Sequence, residues 1–301
     1  MLKIDKRRLL IIVVLLAVLG WLGSSGVATW KLTRRPLPPF AEPPPEVDWG
    51  RLEPHRLTTS DGQQIGAWLA RGDSSRGCVL MAHGIGACRA EFLPLIEFLA
   101  GEGFTTMTIS LRAHGDSSGA ANDVGYGARH DLIAAVEFLE AEFPDRRIFV
   151  VGRSMGAAAA LFAAEELGDR VAGYLLESPY KDLKTAAWRR LQGLPPLLNR
   201  IAYAGLQVWS RAFLPVSAEQ IAPAKHAEFI PQHVPVVVLA GGEDREAPPD
   251  EVRATFEQVR SHGKFIVFEG VAHAQIYQRS PDRYHETLLE LIAAAENGPN
   301  E

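Results

Sequence analysis

The chain has 301 residues, 47% apolar and 22% charged, with a net charge of −5; these are ordinary globular values. Charges of both signs are interspersed through the body with no basic stripe to follow a phosphate backbone, which excludes nucleic acid as a partner class. The two cysteines, Cys78 and Cys88, are too few for a disulfide framework or a metal quartet and read as free thiols, and the nine histidines show no metal-binding spacing, so no cofactor or metal is called for.

At the N-terminus, residues 1–8 form a basic segment with Lys3, Lys6, Arg7 and Arg8. The following 22 residues, 9–30, carry no charge, about the span of a bilayer core, and no polar face, which argues against a buried soluble helix. This run is read as an uncleaved single-pass membrane anchor. A signal peptide cut near Gly26-Val27-Ala28 is the rival, but the run exceeds a typical signal core. The four basic residues before it outnumber Lys31, Arg34 and Arg35 after it, which favours an extracytoplasmic body by one charge. Residues 31–50 hold PLPPFAEPPP and read as a stiff, extended spacer. Residues 51–301 are long enough for one large domain and too short for two.

Within that domain, His55–Ser60 and Gln64–Ala70 flank an Asp61-Gly62 turn, a hairpin pattern. Cys78–Ala82 is a buried-strand run, Phe92–Ala100 a helix, Phe104–Ser110 a strand, and Arg129–Phe143 a helix with apolar residues at helical spacing. Arg147–Val151 (strand), Met155–Leu167 (helix) and Val171–Leu176 (strand) continue the alternation. So do Val234–Ala240, Asp250–Val259, Lys264–Phe268 and Pro281–Ala295. Strand alternating with helix predicts an α/β fold, a mainly parallel sheet with helices on both faces. Residues 181–232 break the rhythm with many large apolar residues, including Trp188, Tyr203 and Trp209. They predict a helical cap over the carboxyl ends of the strands, where open α/β sheets bind ligands.

Gly152-Arg153-Ser154-Met155-Gly156 follows an apolar strand and opens an Ala-rich helix. A serine on a sharp strand-to-helix turn exposes its hydroxyl, and glycines two before and two after relieve the crowding. His83-Gly84-Ile85-Gly86 follows an earlier strand. Backbone N–H groups of Ile85 and Met155 are the candidate donors for a developing oxyanion. A serine hydroxyl needs a base. Asp244 and His273 each lie just past a later strand end, in the order Ser, acid, His, and are assigned as orienting acid and base. Glu243 and Glu246 are rival acids. Glu177, also at a strand end, is assigned a structural role because Asp244 is available, and Cys88 is read as a packed side chain.

These blocks resemble the α/β-hydrolase superfamily over about residues 52–296, in its small bacterial esterase-like and serine-peptidase-like members. Arg112-Ala113-His114-Gly115-Asp116-Ser117-Ser118-Gly119 is similar to the family's R-G-H-G-x-S turn, with Ala113 in place of glycine. Gly125-Tyr126-Gly127 to Asp131 looks like its entry to the next helix. The resemblance implies a nucleophilic serine, a structural His114 and no metal. The expected reaction is hydrolysis of a small-molecule ester or acyl substrate through an acyl-serine. The same triad also serves a peptidase or amidase, and the fold can serve as a non-catalytic binding module. The sequence sets no oligomeric state.

Overall fold

The computed structural model describes residues 5–72 and 76–297; Lys3 of the basic segment lies outside them. The first helix, α1 (Lys6–Leu32), is 27 residues long, about 40 Å at the α-helical rise. It begins three residues before the uncharged run and takes in Lys6, Arg7 and Arg8. Its side chains from Leu9 to Leu19 are exposed. Among the described residues it is the one helix long and apolar enough to cross a bilayer.

The domain follows as β1 (Glu53–Thr58), β2 (Gln64–Ala70), β3 (Cys78–Ala82), α2 (Leu93–Gly101), β4 (Thr105–Ser110), α3 (Arg129–Glu142), β5 (Ile148–Arg153), α4 (Met155–Leu167) and β6 (Gly173–Glu177). The cap helices α5 (Leu183–Arg190), α6 (Pro196–Phe213) and α7 (Pro223–His226) come next. The chain closes with β7 (Val236–Gly241), α8 (Pro249–Gln258), β8 (Gly263–Phe268), α9 (Ile276–Arg279) and α10 (Pro281–Asn297). Eight strands make one sheet in the order β1-β2-β4-β3-β5-β6-β7-β8. The pairs β1–β2 and β2–β4 are antiparallel and the rest parallel. The parallel α/β architecture expected from the alternating pattern is thus what forms.

Apart from β4, with its buried Thr105, Thr106, Thr108 and Ser110, the buried strands are largely apolar on both faces, because helices cover both. Successive residues divide between two cores. Leu80 and Ala82 of β3 pack with Leu132 and Val136 of α3 and the alanines of α4. Val79 and Met81 pack with Phe92, Leu95 and Leu99 around α2 and with Leu288 and Leu291 of α10. The short helix α9 lacks a sequence signal, being a single turn whose residues Ile276 and Tyr277 are buried against the second core.

One expectation is corrected. The proline-rich segment, read as a stiff spacer between membrane and domain, is a strap bound along the domain. Arg34 bridges to Ala121, the Arg35 N–H donates to the Ala120 carbonyl at 2.9 Å, and the Arg35 guanidinium donates to the carbonyls of Ser117 and Gly115. Glu42 is buried and accepts from Ser110 Oγ at 2.7 Å and from the Asp116 N–H at 3.0 Å. Arg89, 2% exposed, faces both Glu42 (3.2 Å) and Asp116 (2.7 Å). Proline supplies the extended backbone, but buried charge pairing decides where it lies.

Candidate active site

The bend between β5 and α4 places Ser154 at φ 49°, ψ −109°, a left-handed conformation that only crowding-free surroundings tolerate. A Cβ on Gly152 would stand 2.6 Å from Ala157 Cα, and one on Gly156 would stand 2.0 Å from the Ala82 carbonyl oxygen. Both glycines are therefore demanded by close backbone approach. The Ser154 N–H donates to the Glu177 carbonyl at 2.7 Å, fixing the bend to the end of β6.

The loops after β7 and β8 meet over this bend. The N–H groups of Gly242 and Glu243 donate to the carbonyls of Phe268 and Val271 at 2.8 and 2.9 Å. A Cβ on Gly241 would stand 2.5 Å from the Val271 carbonyl oxygen, so this contact also needs glycine. The result is that residues 119 positions apart touch: Ser154 Oγ lies 2.9 Å from His273 Nε2. His273 Nδ1 lies 2.7 Å from Asp244 Oδ2. A carboxylate can only accept, so Nδ1 carries the hydrogen and Nε2 is left to accept from the serine. Asp244 Oδ1 accepts from the N–H groups of Glu246 and Ala247, each at 2.9 Å. Burial lowers the His273 pKa, but the hydrogen bond and charge of Asp244 outweigh it and leave it raised above 6.5.

Of the rival acids, Glu243 is exposed and Glu246 pairs with Arg190 at 3.1 Å. Glu177 is fully buried, accepting from Arg153 Nε at 3.0 Å and from the Ile276 N–H at 3.2 Å. It ties the residue before Ser154 to the helix after His273.

The His83–Gly86 loop comes to the serine from the other side: a Cβ on Gly84 would stand 3.5 Å from Ser154 Cβ. Met155 is the first residue of α4, so its N–H precedes the helix's own hydrogen-bond ladder. Ile85 and Met155 line one cleft together with Ser154 and His273. His114 Nε2 accepts from the Gly86 N–H at 3.1 Å, while its Nδ1 donates to the Arg112 carbonyl at 3.0 Å. His83 Nδ1 donates to the Gly84 carbonyl at 2.7 Å and Nε2 accepts from the Leu111 N–H at 3.0 Å. Burial pushes the His83 pKa down to about 3 and that of His114 below its ordinary value. Both imidazoles are neutral struts that hold the loop. Ala113 has φ 60°, the conformation for which glycine is usual at that turn. Cys88 is a free thiol whose pKa burial raises to about 11, which suits packing rather than nucleophilic attack.

The cleft also takes Val124, Tyr180, Ala186, Arg190, Glu246 and Ala247, and spans about 330 Å³ including its opening. Val124 and Tyr180 carry no sequence signal for this position. The former lies one residue before the Gly125-Tyr126-Gly127 block, which is the nearest available hint. Arg190 comes from the cap, so the insertion does cover the carboxyl ends of the strands.

Comparison with known proteins agrees with this architecture. The sequence model of the alpha/beta hydrolase fold matches residues 77–219, which includes the serine bend but stops before the Asp244 and His273 loops. An uncharacterized membrane protein of Saccharomyces cerevisiae is 24% identical over 211 residues, 70% of this chain and 69% of that one. Human monoglyceride lipase is 28% identical over 131 residues, 42% of each chain. The Pyrococcus furiosus esterase Pf2001 superposes with a TM-score of 0.68 at 24% identity, covering 85% of this chain and 97% of that one. The sheet order, the strained serine bend, the sequence match and the superposition together establish that the chain has the α/β-hydrolase fold.

Proposed function

We propose that the protein is a serine hydrolase of carboxylic esters, acting through an acyl-serine intermediate. The observation that carries this reading is the unbroken hydrogen-bond chain from Ser154 Oγ through His273 to Asp244. In this mechanism Ser154 attacks the acyl carbon and its proton passes to His273 Nε2. Asp244 stabilises the imidazolium. The N–H groups of Ile85 and Met155 receive the negative charge on the former carbonyl oxygen, a contribution of about 3 kcal/mol per donor in such sites. His273 returns the proton to the departing alcohol, and water, activated by the same imidazole, releases the acid. The hydrolytic activities in the names of the esterase and lipase relatives agree with this chemistry. An acid free to hold a peptide amine would favour a peptidase. The one lining the cleft, Glu246, is engaged by Arg190, which favours the ester.

Helix α1 anchors the enzyme in a membrane, as its length, its exposed apolar surface and the description of the yeast relative suggest. The flanking charges favour the extracytoplasmic side for the domain by one charge. The test is a fluorophosphonate probe with mass-spectrometric site mapping, followed by p-nitrophenyl esters against aminoacyl anilides. We expect label on Ser154 and ester turnover that Ser154→Ala lowers by on the order of a million-fold with the fold retained. Folded wild-type protein that takes no label would instead favour a binding module, and faster anilide than ester cleavage a peptidase.

A further inference from the structure

The anchor helix does not stand apart from the enzyme. It packs along cap helix α6 at a distance that two glycines permit: a Cβ on Gly205 would stand 2.4 Å from Ser25 Cβ, and one on Gly26 would stand 3.0 Å from the Trp209 ring. Two indoles lock the pair, Trp21 Nε1 donating to the Ile201 carbonyl at 3.0 Å and Trp209 Nε1 to the Leu22 carbonyl at 2.9 Å. Beyond this seam, toward the C-terminal end of α1, both helices line an apolar cavity. It spans about 560 Å³ including its open mouth. Thr29 and Leu32 contribute from α1, Thr33 from its C-terminal cap, Tyr203 and Leu206 from α6, and Ala187 from α5.

This cavity and the Ser154 cleft share a thin partition. Helix α5 gives Leu183, Lys184 and Ala187 to the cavity and Ala186 and Arg190 to the cleft, and Val124 lines both. Val124 has φ 60°, a conformation that a β-branched residue adopts only when its surroundings impose it. Here the Asn122 side chain accepts from its N–H at 2.9 Å and the Tyr180 hydroxyl donates to its carbonyl at 2.8 Å. A strained residue pinned from both sides at the junction of two cavities marks a place where side-chain position matters.

We infer that the cavity between α1 and the cap seats the linear acyl chain of the substrate, entered from the bilayer, so that the membrane helix is itself a wall of the substrate site and Val124 the sill over which the chain reaches Ser154. This rests on the ester-hydrolase reading. The occupant follows from the walls: their surface is apolar, they include helix α1, and the exposed apolar side chains of Leu197, Leu198, Ile201 and Val208 on the same helix α6 suit contact with lipid.

Two filling substitutions, Ala187→Phe and Leu206→Trp, test this in the full-length protein reconstituted in phosphatidylcholine nanodiscs. The ratio of kcat/KM for p-nitrophenyl laurate over acetate should fall at least about tenfold in either variant, the effect of excluding roughly two methylenes. In a Ser154→Ala background, a diazirine-bearing palmitic acid should crosslink to residues 29–33 and 203–210, and either filling substitution should reduce that yield several-fold. An unchanged chain-length ratio, or crosslinking indifferent to both substitutions, overturns the inference and leaves the hydrolase reading intact. Absence of any ester turnover or fluorophosphonate label in the wild type sinks the hydrolase reading instead, and the crosslinks alone then decide whether the cavity takes an acyl chain.

Discussion

At the scale of single residues the site is governed by which group holds which proton. His273 must be neutral at Nε2 to accept from Ser154, and its folded pKa lies above 6.5 because Asp244 favours the imidazolium more than burial opposes it. Activity therefore falls as pH drops through that raised value. In Asp244→Asn the raising partner is gone while burial remains. The acid limb of the rate profile should then move to lower pH, below about 6.5, as kcat falls about ten-thousand-fold. A limb that stays in place would mean that another group sets it. Ser154, Asp244 and His273 were legible because each follows a strand end, and parallel strands deliver their carboxyl ends to one edge. Val124 and Tyr180 were not legible. Their roles depend on a strained φ and on a hydroxyl reaching a carbonyl 56 positions away, and neither leaves a local pattern.

At the scale of elements, helix α1 and helix α6 behave as one unit. An 18-residue helix with exposed Leu197, Leu198, Ile201 and Val208 has no reason to hold that surface in water unless another apolar body adjoins it. Small residues at the seam let two backbones approach, as in membrane helix pairs. Gly205→Leu should push α6 off α1, since even a Cβ meets Ser25 at 2.4 Å. We expect the region around residues 191–215 to become protease-sensitive while fluorophosphonate labelling of Ser154 persists. Proteolysis indistinguishable from wild type would show that the seam is dispensable. The strap at 34–42 is the second element whose behaviour exceeds its composition. Proline predicts its extension, but the Glu42–Arg89–Asp116 cluster that binds it joins residues far apart in the chain. Leaving any one of them buried and unpaired costs about 1–3 kcal/mol or more.

At the scale of the whole molecule, the apolar helix α1 packs on cap helix α6, so under the proposed anchoring the bilayer would adjoin the cap. Trp209 lies in the α1–α6 seam, whereas Trp68 is buried beside Arg89 in the core under β2. In vesicles with bromine on the lipid acyl chains, a variant retaining Trp209 alone should be quenched, and one retaining Trp68 alone should not. Equal quenching of both, or of neither, would put the cap away from the bilayer. By itself the sequence determined the α/β class, the long apolar helix, the serine bend and the placement of Asp244 and His273 past later strand ends, because periodicity, glycine spacing and strand ends are local properties of the chain. Only the tertiary structure decided that the stiff proline segment is bound along the domain, and that helix α1 borders a cavity beside the serine cleft. Those are contacts between distant residues, chosen by burial and charge pairing, and no local pattern encodes them.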